Sequence, residues 1–309
     1  MNIASIDIGT NTVLLLVCSI QPGSDKIFTI VNEYQIPRLG RGLVKGYPIP
    51  DENVERFFKV MENYKKIIDK NKCEKIIINA TNAMRIATNS NEIVKETRNK
   101  FGYEIEVIPG EREAYLSFLG ASTSLPNIDK KIVIDVGGGS TEIIIGNNTK
   151  MEFRKSFPIG AVSLTEQFVD NDPPPDTSVK EMKENVRSIF SDLKLEMFSN
   201  KPIIGVAGTP TTLSCMKQNL KSYEEQFVEG SILTKEDYEN FISILSSQKC
   251  DYIINNYGSI VKGREDVLLA GSIILNELMN LMHCSNMYVS GRGLRYGAVV
   301  DFIRSKNMS

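Results

Sequence analysis

Ile134-Asp-Val-Gly-Gly-Gly-Ser-Thr-Glu142 carries the strongest architectural signal in this 309-residue chain. An apolar run over 131–136 precedes the glycines and another follows over 142–145, so the pattern predicts two strands joined by a tight turn over 137–140. Three successive glycines lose much conformational entropy on folding. We therefore expect them where another group must approach the backbone closely.

A second copy of this design lies near the amino terminus, in Ile6-Asp-Ile-Gly-Thr-Asn-Thr12. Both copies consist of a strand, an Asp-x-Gly sequence, a hydroxyl-rich turn and a second strand. Their aspartates, Asp7 and Asp135, are separated by a domain's length of sequence. The internal repeat predicts two α/β domains, residues 1–124 and residues 125–309.

The composition is that of a globular protein and disfavours several classes of function. Hydrophobic residues make up 41% and charged residues 24%, and a net charge of -2 disfavours a generally basic nucleic-acid or membrane binder. A single histidine, His283, leaves acid–base chemistry to carboxylates. Five cysteines without metal-ligand spacing are typical of a reducing compartment, and the N-terminus reads as neither signal peptide nor membrane span, so we expect a cytoplasmic protein.

Hydrophobic periodicity predicts the other elements of secondary structure. The predicted helices are 51–70, 110–122, 179–197, 235–247, 264–282 and 294–306. The further predicted strands are 13–17, 26–36, 75–79, 103–108, 203–206 and 286–289.

The first turn offers hydrogen-bond donors to an anion. Gly9 permits a sharp turn in which several backbone N–H groups point the same way, and the side chains of Thr10, Asn11 and Thr12 add further donors. Such a concavity binds phosphate oxygens. The same residues also suit a hairpin with a purely structural role.

The second turn combines similar donors with two carboxylates. Asp135 ends the first strand and Glu142 begins the next, so both border the turn. Mg²⁺ prefers a few protein oxygens together with water and phosphate. The segment predicts a phosphate and Mg²⁺ site, with a structural glycine hairpin as the alternative. The predicted phosphate ligands are Gly137, Gly138, Gly139 and Ser140.

Two other segments carry candidate chemistry. Gly208 and Thr209 follow an apolar strand and are expected at a helix N-terminus, where the dipole favours anions. Thr209 followed by proline is also good capping chemistry by itself. Glu113 lies in the first turn of a predicted helix, where an acidic residue normally serves the dipole, but its carboxylate could also act as a general base on water.

Arginines are well suited to phosphate oxygens because they bind them through two parallel hydrogen bonds. Arg85 follows a predicted strand end, and Arg41 and Arg292 adjoin glycines, so these are the better candidates. Further candidates are Arg38, Arg264 and Arg295.

The ordered set of motifs resembles the exopolyphosphatase / guanosine pentaphosphate phosphatase (Ppx/GppA) family, a branch of the actin / sugar-kinase / Hsp70 superfamily. The resemblance covers nearly the whole chain, and the ordered set is far more specific than any single motif. Besides the two glycine turns, its segments are Arg38-Leu-Gly-Arg-Gly-Leu43, Ala80-Thr-Asn-Ala-Met-Arg-Ile-Ala87, Ile108-Pro-Gly-Glu-Arg-Glu-Ala114, Gly205-Val-Ala-Gly-Thr209, Arg264 with Gly271, and Ser290-Gly-Arg-Gly-Leu-Arg295.

This resemblance implies two actin-like (ribonuclease H-like) domains with mixed sheets flanked by helices, an interdomain cleft, and a C-terminal helix, 294–306, that joins the first domain. It implies an exopolyphosphatase, which hydrolyses the terminal phosphoanhydride of inorganic polyphosphate with Mg²⁺ and releases orthophosphate, in a cytoplasmic homodimer. Glu113 would activate the attacking water. Asp135, assisted by Glu142, would position Mg²⁺, and Arg85 would bind polyphosphate oxygens. Thr209 would close the phosphate site formed by the two turns.

Several interpretations stay open on the sequence. Guanosine pentaphosphate offers the same terminal anhydride, although no segment reads as a guanine pocket. An ATP-dependent kinase of the sugar-kinase type would need the same turns, and a non-enzymatic sensor or filament subunit is a third alternative. The chain has threonines at 10 and 12 where many members have serine, and Leu14 where some have arginine. We expect the short, two-domain form of the family, without an HD-like domain.

Overall fold

The computed structural model describes residues 1–21, 27–124, 129–147, 151–199 and 201–307. The chain folds as two compact units, Met1–Gly120 with Leu294–Ser309, and Ala121–Gly293. Among the helices that the structure describes, none combines the length and the unbroken apolar character that crossing a bilayer requires.

A five-stranded sheet forms the centre of the first unit, in the order β3-β2-β1-β4-β5. Strands β1 to β3 form an antiparallel meander, whereas β4 and β5 run parallel to β1. The carboxyl ends of β1, β4 and β5 therefore meet at one edge of the sheet. The strands are β1 (Asn2–Ile8), β2 (Val13–Ile20), β3 (Ile27–Gln35), β4 (Lys75–Ala80) and β5 (Glu106–Val107).

Helices cover both faces of this sheet, because alternate residues of β1 face opposite sides. Helix α1 packs Phe57 and Tyr64 against Ile6, whereas the last helix, α12, packs Tyr296 against Ile3. The helices of this unit are α1 (Asp51–Lys70), α2 (Asn82–Ile86), α3 (Ser90–Phe101), α4 (Gly110–Ser122) and α12 (Leu294–Asn307).

The second unit contains a six-stranded sheet in the order β10-β11-β9-β6-β7-β8. Strands β6, β9 and β11 are parallel, so their carboxyl ends also meet at one edge. The strands are β6 (Lys131–Val136), β7 (Thr141–Gly146), β8 (Met151–Phe157), β9 (Ile203–Val206), β10 (Ile232–Thr234) and β11 (Asn286–Val289). The helices are α5 (Ala161–Phe168), α6 (Asp176–Ile189), α7 (Gly208–Lys217), α8 (Glu225–Val228), α9 (Lys235–Ser247), α10 (Cys250–Tyr257) and the buried α11 (Leu268–Leu281).

The sequence repeat is a structural repeat with the same strand register in both copies. In the first unit Asp7 pairs with Leu14, and in the second Asp135 pairs with Glu142. Each pair is followed by one more pair of residues and then by a four-residue turn. Leu14 therefore occupies the position that Glu142 occupies in the second copy.

The prediction of mixed sheets flanked by helices is confirmed, while several predicted boundaries are wrong. The helix predicted over 179–197 ends at Ile189, near where the Ser191 hydroxyl donates to the Ser188 carbonyl and competes with the helical pattern. The helix predicted from 264 begins at Leu268, and residues 261–267 form turns instead. Lys26, the predicted start of the third strand, lies outside the described residues.

Helices α4 and α12 cross in direct contact. A Cβ atom at Gly297 would lie 1.7 Å from the carbonyl oxygen of Leu116, so only glycine permits this approach. Arg112 on α4 forms an ion pair with Asp301 on α12, with Nη2 and Oδ2 2.5 Å apart. The last helix of the chain thus fixes the helix that carries Glu113.

We predict that Gly297→Ala destabilises the protein by about 1–3 kcal/mol, the usual cost of forcing extra atoms into a packed contact. Gly293→Ala is the matched control, since a Cβ there meets no atom within 4 Å. Thermal and urea unfolding of both variants measure the difference. Equal stability of the two variants would contradict the crossing described above.

Candidate functional site

The first turn, residues 9–12, accepts hydrogen bonds from N–H groups of another segment of the chain. It closes with a hydrogen bond from the Gly9 N–H to the Thr12 carbonyl at 3.0 Å. The carbonyls of the two residues between them accept from the N–H groups of Gly40 and Arg38, at 2.8 and 3.0 Å. Within the described part of the chain, the other three N–H groups of the turn donate to no protein acceptor.

The second turn repeats this arrangement. The Gly137 N–H donates to the Ser140 carbonyl at 2.9 Å. The carbonyls of Gly137 and Gly138 accept from the first N–H groups of α5, those of Ala161 and Val162, at 2.9 and 2.8 Å. The N–H groups of the turn's last three residues likewise have no acceptor among the residues that the structure describes.

Glycines outside each turn make these contacts possible. A Cβ atom at Gly160 would lie 2.5 Å from the backbone of Gly138 and Gly139, and one at Gly40 would lie 2.3 Å from Cγ2 of Thr10. Both glycines therefore let a neighbouring segment press against a turn. With three of its four carbonyls occupied, each turn offers more donors than acceptors, and such a concavity suits an anion.

Two carboxylates flank the second turn on one face of the sheet. Asp135 and Glu142 are cross-strand partners, so their side chains are neighbours on the same face. Asp135 is half-buried, whereas Glu142 is buried and its Oε1 accepts a hydrogen bond from Ser156 Oγ at 2.6 Å.

This donor set fits Mg²⁺ better than a metal held by protein alone. Among the described residues, no group of three or more His, Cys, Asp or Glu side chains could hold a metal ion. Mg²⁺ commonly uses one or two carboxylates and takes its other ligands from water and substrate phosphate. One half-buried carboxylate beside anion-binding N–H groups has that composition.

The segment after β9 lies at the same edge of the second sheet. Ala207 has φ 74° and ψ -164°, a conformation that is almost restricted to glycine and costs about 1–3 kcal/mol. Gly208 then begins α7, and a Cβ there would lie 1.9 Å from Arg264 Nη1, so the guanidinium packs on the glycine backbone. Thr209 is buried, with its hydroxyl against Gly271 of α11.

Arg85 and Glu113 form an ion pair at the edge of the first sheet where the first turn also lies. Arg85 Nη1 donates to Glu113 Oε2 at 2.6 Å and to the Ile108 carbonyl at 3.0 Å. Glu113 is 8% exposed. The parallel strands β4 and β5 cause this meeting, because Arg85 follows the end of one and Glu113 the end of the other. Arg85 thus fixes the orientation of the carboxylate.

The remaining arginines differ in their surroundings. Arg292 is held by Glu225 of α8, with Nε and Nη2 at 3.0 and 2.9 Å from Oε1, and Arg41 is exposed.

Sequence reasoning missed three features of the site: the roles of Gly40 and Gly160 and the strain at Ala207. A glycine directly before a helix, as in Ile159-Gly160-Ala161, was the available signal for one of them.

These features are typical of a phosphate-binding protein. Two glycine turns offer N–H donors, carboxylates lie beside one turn, and an Arg–Glu pair lies beside the other. The chain belongs to the Ppx/GppA phosphatase family, whose model matches residues 16–306. Family membership assigns it to the hydrolases that act on phosphoanhydride bonds and confirms the predicted actin-like two-domain fold.

Individual relatives agree with this assignment. The chain is 32% identical to the bifunctional 3-dehydroquinate synthase/phosphatase of Fusobacterium nucleatum over 98% of its own length, but spans only 47% of that protein. It is 29% identical to exopolyphosphatase 2 of Mycobacterium tuberculosis, over 89% of each chain. The solved structure of the Aquifex aeolicus Ppx/GppA family member is 31% identical, with a TM-score of 0.82 over 100% of this chain and 99% of that one.

We predict that Gly160→Ala weakens binding of pyrophosphate by at least ~10-fold, because the added Cβ displaces the second turn and with it the N–H groups, each of which contributes about 1 kcal/mol or more toward a charged acceptor. Gly40→Ala tests the first turn in the same way. Isothermal titration calorimetry measures the affinities, and a melting curve of each variant checks that it folds. Unchanged affinity in a folded Gly160→Ala variant would contradict a role of the turn in anion binding.

Proposed function

We propose that the protein is an exopolyphosphatase, which hydrolyses the terminal phosphoanhydride of inorganic polyphosphate and releases orthophosphate. The observation that carries this proposal is the pair of glycine turns, one in each unit, in each of which three carbonyls accept from protein N–H groups and three N–H groups have no acceptor among the described residues. The likeness to an exopolyphosphatase over 89% of both chains supports the choice of substrate.

Phosphoryl transfer requires positioning and charge stabilisation more than covalent chemistry by the protein. The N–H groups of residues 10–12 and 138–140, together with the N-terminus of α7 at Gly208 and Thr209, would bind the oxygens of the terminal phosphoryl group and its neighbour. Fixed donors of this kind stabilise charge without reorganising during the reaction. Mg²⁺, when held by Asp135 with Glu142 beside it, supplies further neutralisation of phosphate charge.

Glu113 would accept the proton of the attacking water. Its carboxylate is buried, and Arg85 fixes its orientation by the 2.6 Å hydrogen bond to Oε2. Arg85 also lies where it could contact a phosphate oxygen, so it would link the base to the substrate. A positioned general base typically contributes 10²–10⁴-fold to the rate.

The alternative substrate is guanosine pentaphosphate, which presents the same terminal anhydride and after which the family is partly named. A sugar-kinase type of reaction is less well supported, since the family whose model matches the chain is a phosphatase family. A cytoplasmic location and a homodimeric state belong to the same proposal, and light scattering on the purified chain tests the second.

Phosphate release with Mg²⁺ from polyphosphate, guanosine pentaphosphate and ATP tests the proposal. We expect the highest kcat/KM on polyphosphate, loss of release when EDTA removes the metal, and recovery when Mg²⁺ is restored. Release from guanosine pentaphosphate alone would move the assignment to the alternative substrate. ATP consumption that depends on a hydroxyl acceptor would replace hydrolysis by a kinase reaction.

We predict that Glu113→Gln lowers kcat by at least ~100-fold, because the amide cannot accept the proton of water. Glu111→Gln is the matched control, since Glu111 lies in the same helical turn and is exposed. Initial rates of phosphate release measure both variants, and circular dichroism checks their folding. A Glu113→Gln variant with normal kcat would remove this residue from the mechanism.

A further inference from the structure

Arg295, in the first turn of α12, is a buried cation without a counter-charge. Its exposed fraction is 6%, and its guanidinium forms no ion pair with a carboxylate of the described residues. Its one hydrogen bond within that part of the chain is a long one, from Nη1 to the Glu33 carbonyl at 3.5 Å, and Nε has no acceptor. The ring of Tyr296, 5.8 Å away, offers only a weak contact. Burying an unpaired charge is costly, so an anion bound here would stabilise the protein.

More unpaired donors lie on the sheet face that α12 covers. Leu16 packs against Tyr296, and Asn32 and Ser5 are its partners on the two neighbouring strands, so all three face α12. Asn32 Nδ2 and Ser5 Oγ are buried atoms without hydrogen-bond partners among the described residues, and Ser5 is 0% exposed.

The row of unpaired donors continues toward the first turn. Ile77 of β4 pairs with Ser5, and Asn79, two residues further on, faces the same side. Asn79 is 3% exposed, and its Nδ2 also lacks a partner in the part of the chain that is described. Asn79 pairs with Asp7, whose carboxylate lies on the same face. The unpaired atoms of Arg295 and Asn32, by contrast, are N–H donors that an acceptor-rich ligand would satisfy.

The guanidinium lies close to the strand that follows the first turn. The Tyr64 phenol donates to the carbonyl of Val13, the first residue of β2, at 2.7 Å. Arg295 Nη1 reaches the Glu33 carbonyl, and Glu33 pairs with Leu15, two residues after Val13. Arg295 therefore lies beside the strand that begins directly after the first turn.

We propose that Arg295 and Asn32 form a second oxyanion subsite on the first unit, which takes a phosphate group. The occupant is either free orthophosphate or a non-terminal phosphoryl group of a polyphosphate whose end lies at the first turn. The second possibility rests on the proposed function, whereas the binding of a phosphate oxyanion does not.

The test compares the wild type with Arg295→Met in a buffer that is poor in anions and contains EDTA, so that no turnover occurs. Melting curves are recorded without ligand, with orthophosphate and with tripolyphosphate, and calorimetry gives the affinities. Arg304→Met is the matched control, because Arg304 is exposed in the last turn of the same helix. Asn32→Ala and Arg295→Lys serve as second variants should Arg295→Met not fold.

We expect Arg295→Met to lose at least ~10-fold in affinity at the subsite, as for the loss of a hydrogen-bonded charge, and to show a smaller ligand-induced rise in Tm than the wild type, the remainder coming from the glycine turns. Without ligand its Tm should rise, because an apolar side chain replaces an unpaired buried cation. A smaller rise with both ligands identifies orthophosphate binding, and a smaller rise with tripolyphosphate alone identifies a chain subsite.

The ligand-induced change in Tm decides the question. An unchanged response of Arg295→Met, or of both second variants, to both ligands would overturn the subsite and leave Arg295 a structural residue with water as its partner. The proposed function is tested separately by phosphate release from the wild type. A wild type that binds phosphate through Arg295 but releases none from polyphosphate would refute the function and keep the subsite.

Discussion

The hydrogen bonds that occupy the carbonyls of the two glycine turns are the interactions on which the site depends. A free peptide turn presents donors and acceptors together, and its carbonyls would repel phosphate. In this protein, N–H groups of Gly40 and Arg38 bind the carbonyls of one turn, and those of α5 bind the carbonyls of the other. Three N–H groups of each turn remain without an acceptor among the described residues, and this excess of donors makes the turn a site for an anion.

The topology of each sheet determines which side chains join these turns. Parallel strands place their carboxyl ends at one edge, the location at which open α/β sheets commonly bind ligands. In the first unit this edge combines the turn with Arg85 and Glu113. In the second it combines the turn with Asp135 and the start of α7. The crossing of α4 and α12 at Gly297 then ties the orientation of Glu113 to the last helix of the chain.

Much of this could be predicted from sequence, because the decisive signals are local. The Asp-x-Gly repeat, the buried strands and α4 with its Glu113 follow from periodicity and glycine spacing, and the structure has them. The ion pair between Arg85 and Glu113 could not be predicted, since it depends on the pairing of β4 with β5, which no local pattern specifies. Gly160 could not be predicted either, because its role is a backbone contact with residues more than twenty positions away. For Arg295, only the packed fold shows that the buried guanidinium has no counter-charge.

The central claim is that the N–H groups of the turns bind the phosphate oxygens. Selective ¹⁵N labelling of glycine and threonine makes these amides visible by NMR while pyrophosphate is added in the absence of metal. The account predicts that the signals of Gly138, Gly139 and Thr10 move downfield together in a saturable way, as their hydrogen bonds to the anion form. Saturable binding that moves other amides and leaves these three unchanged would contradict it.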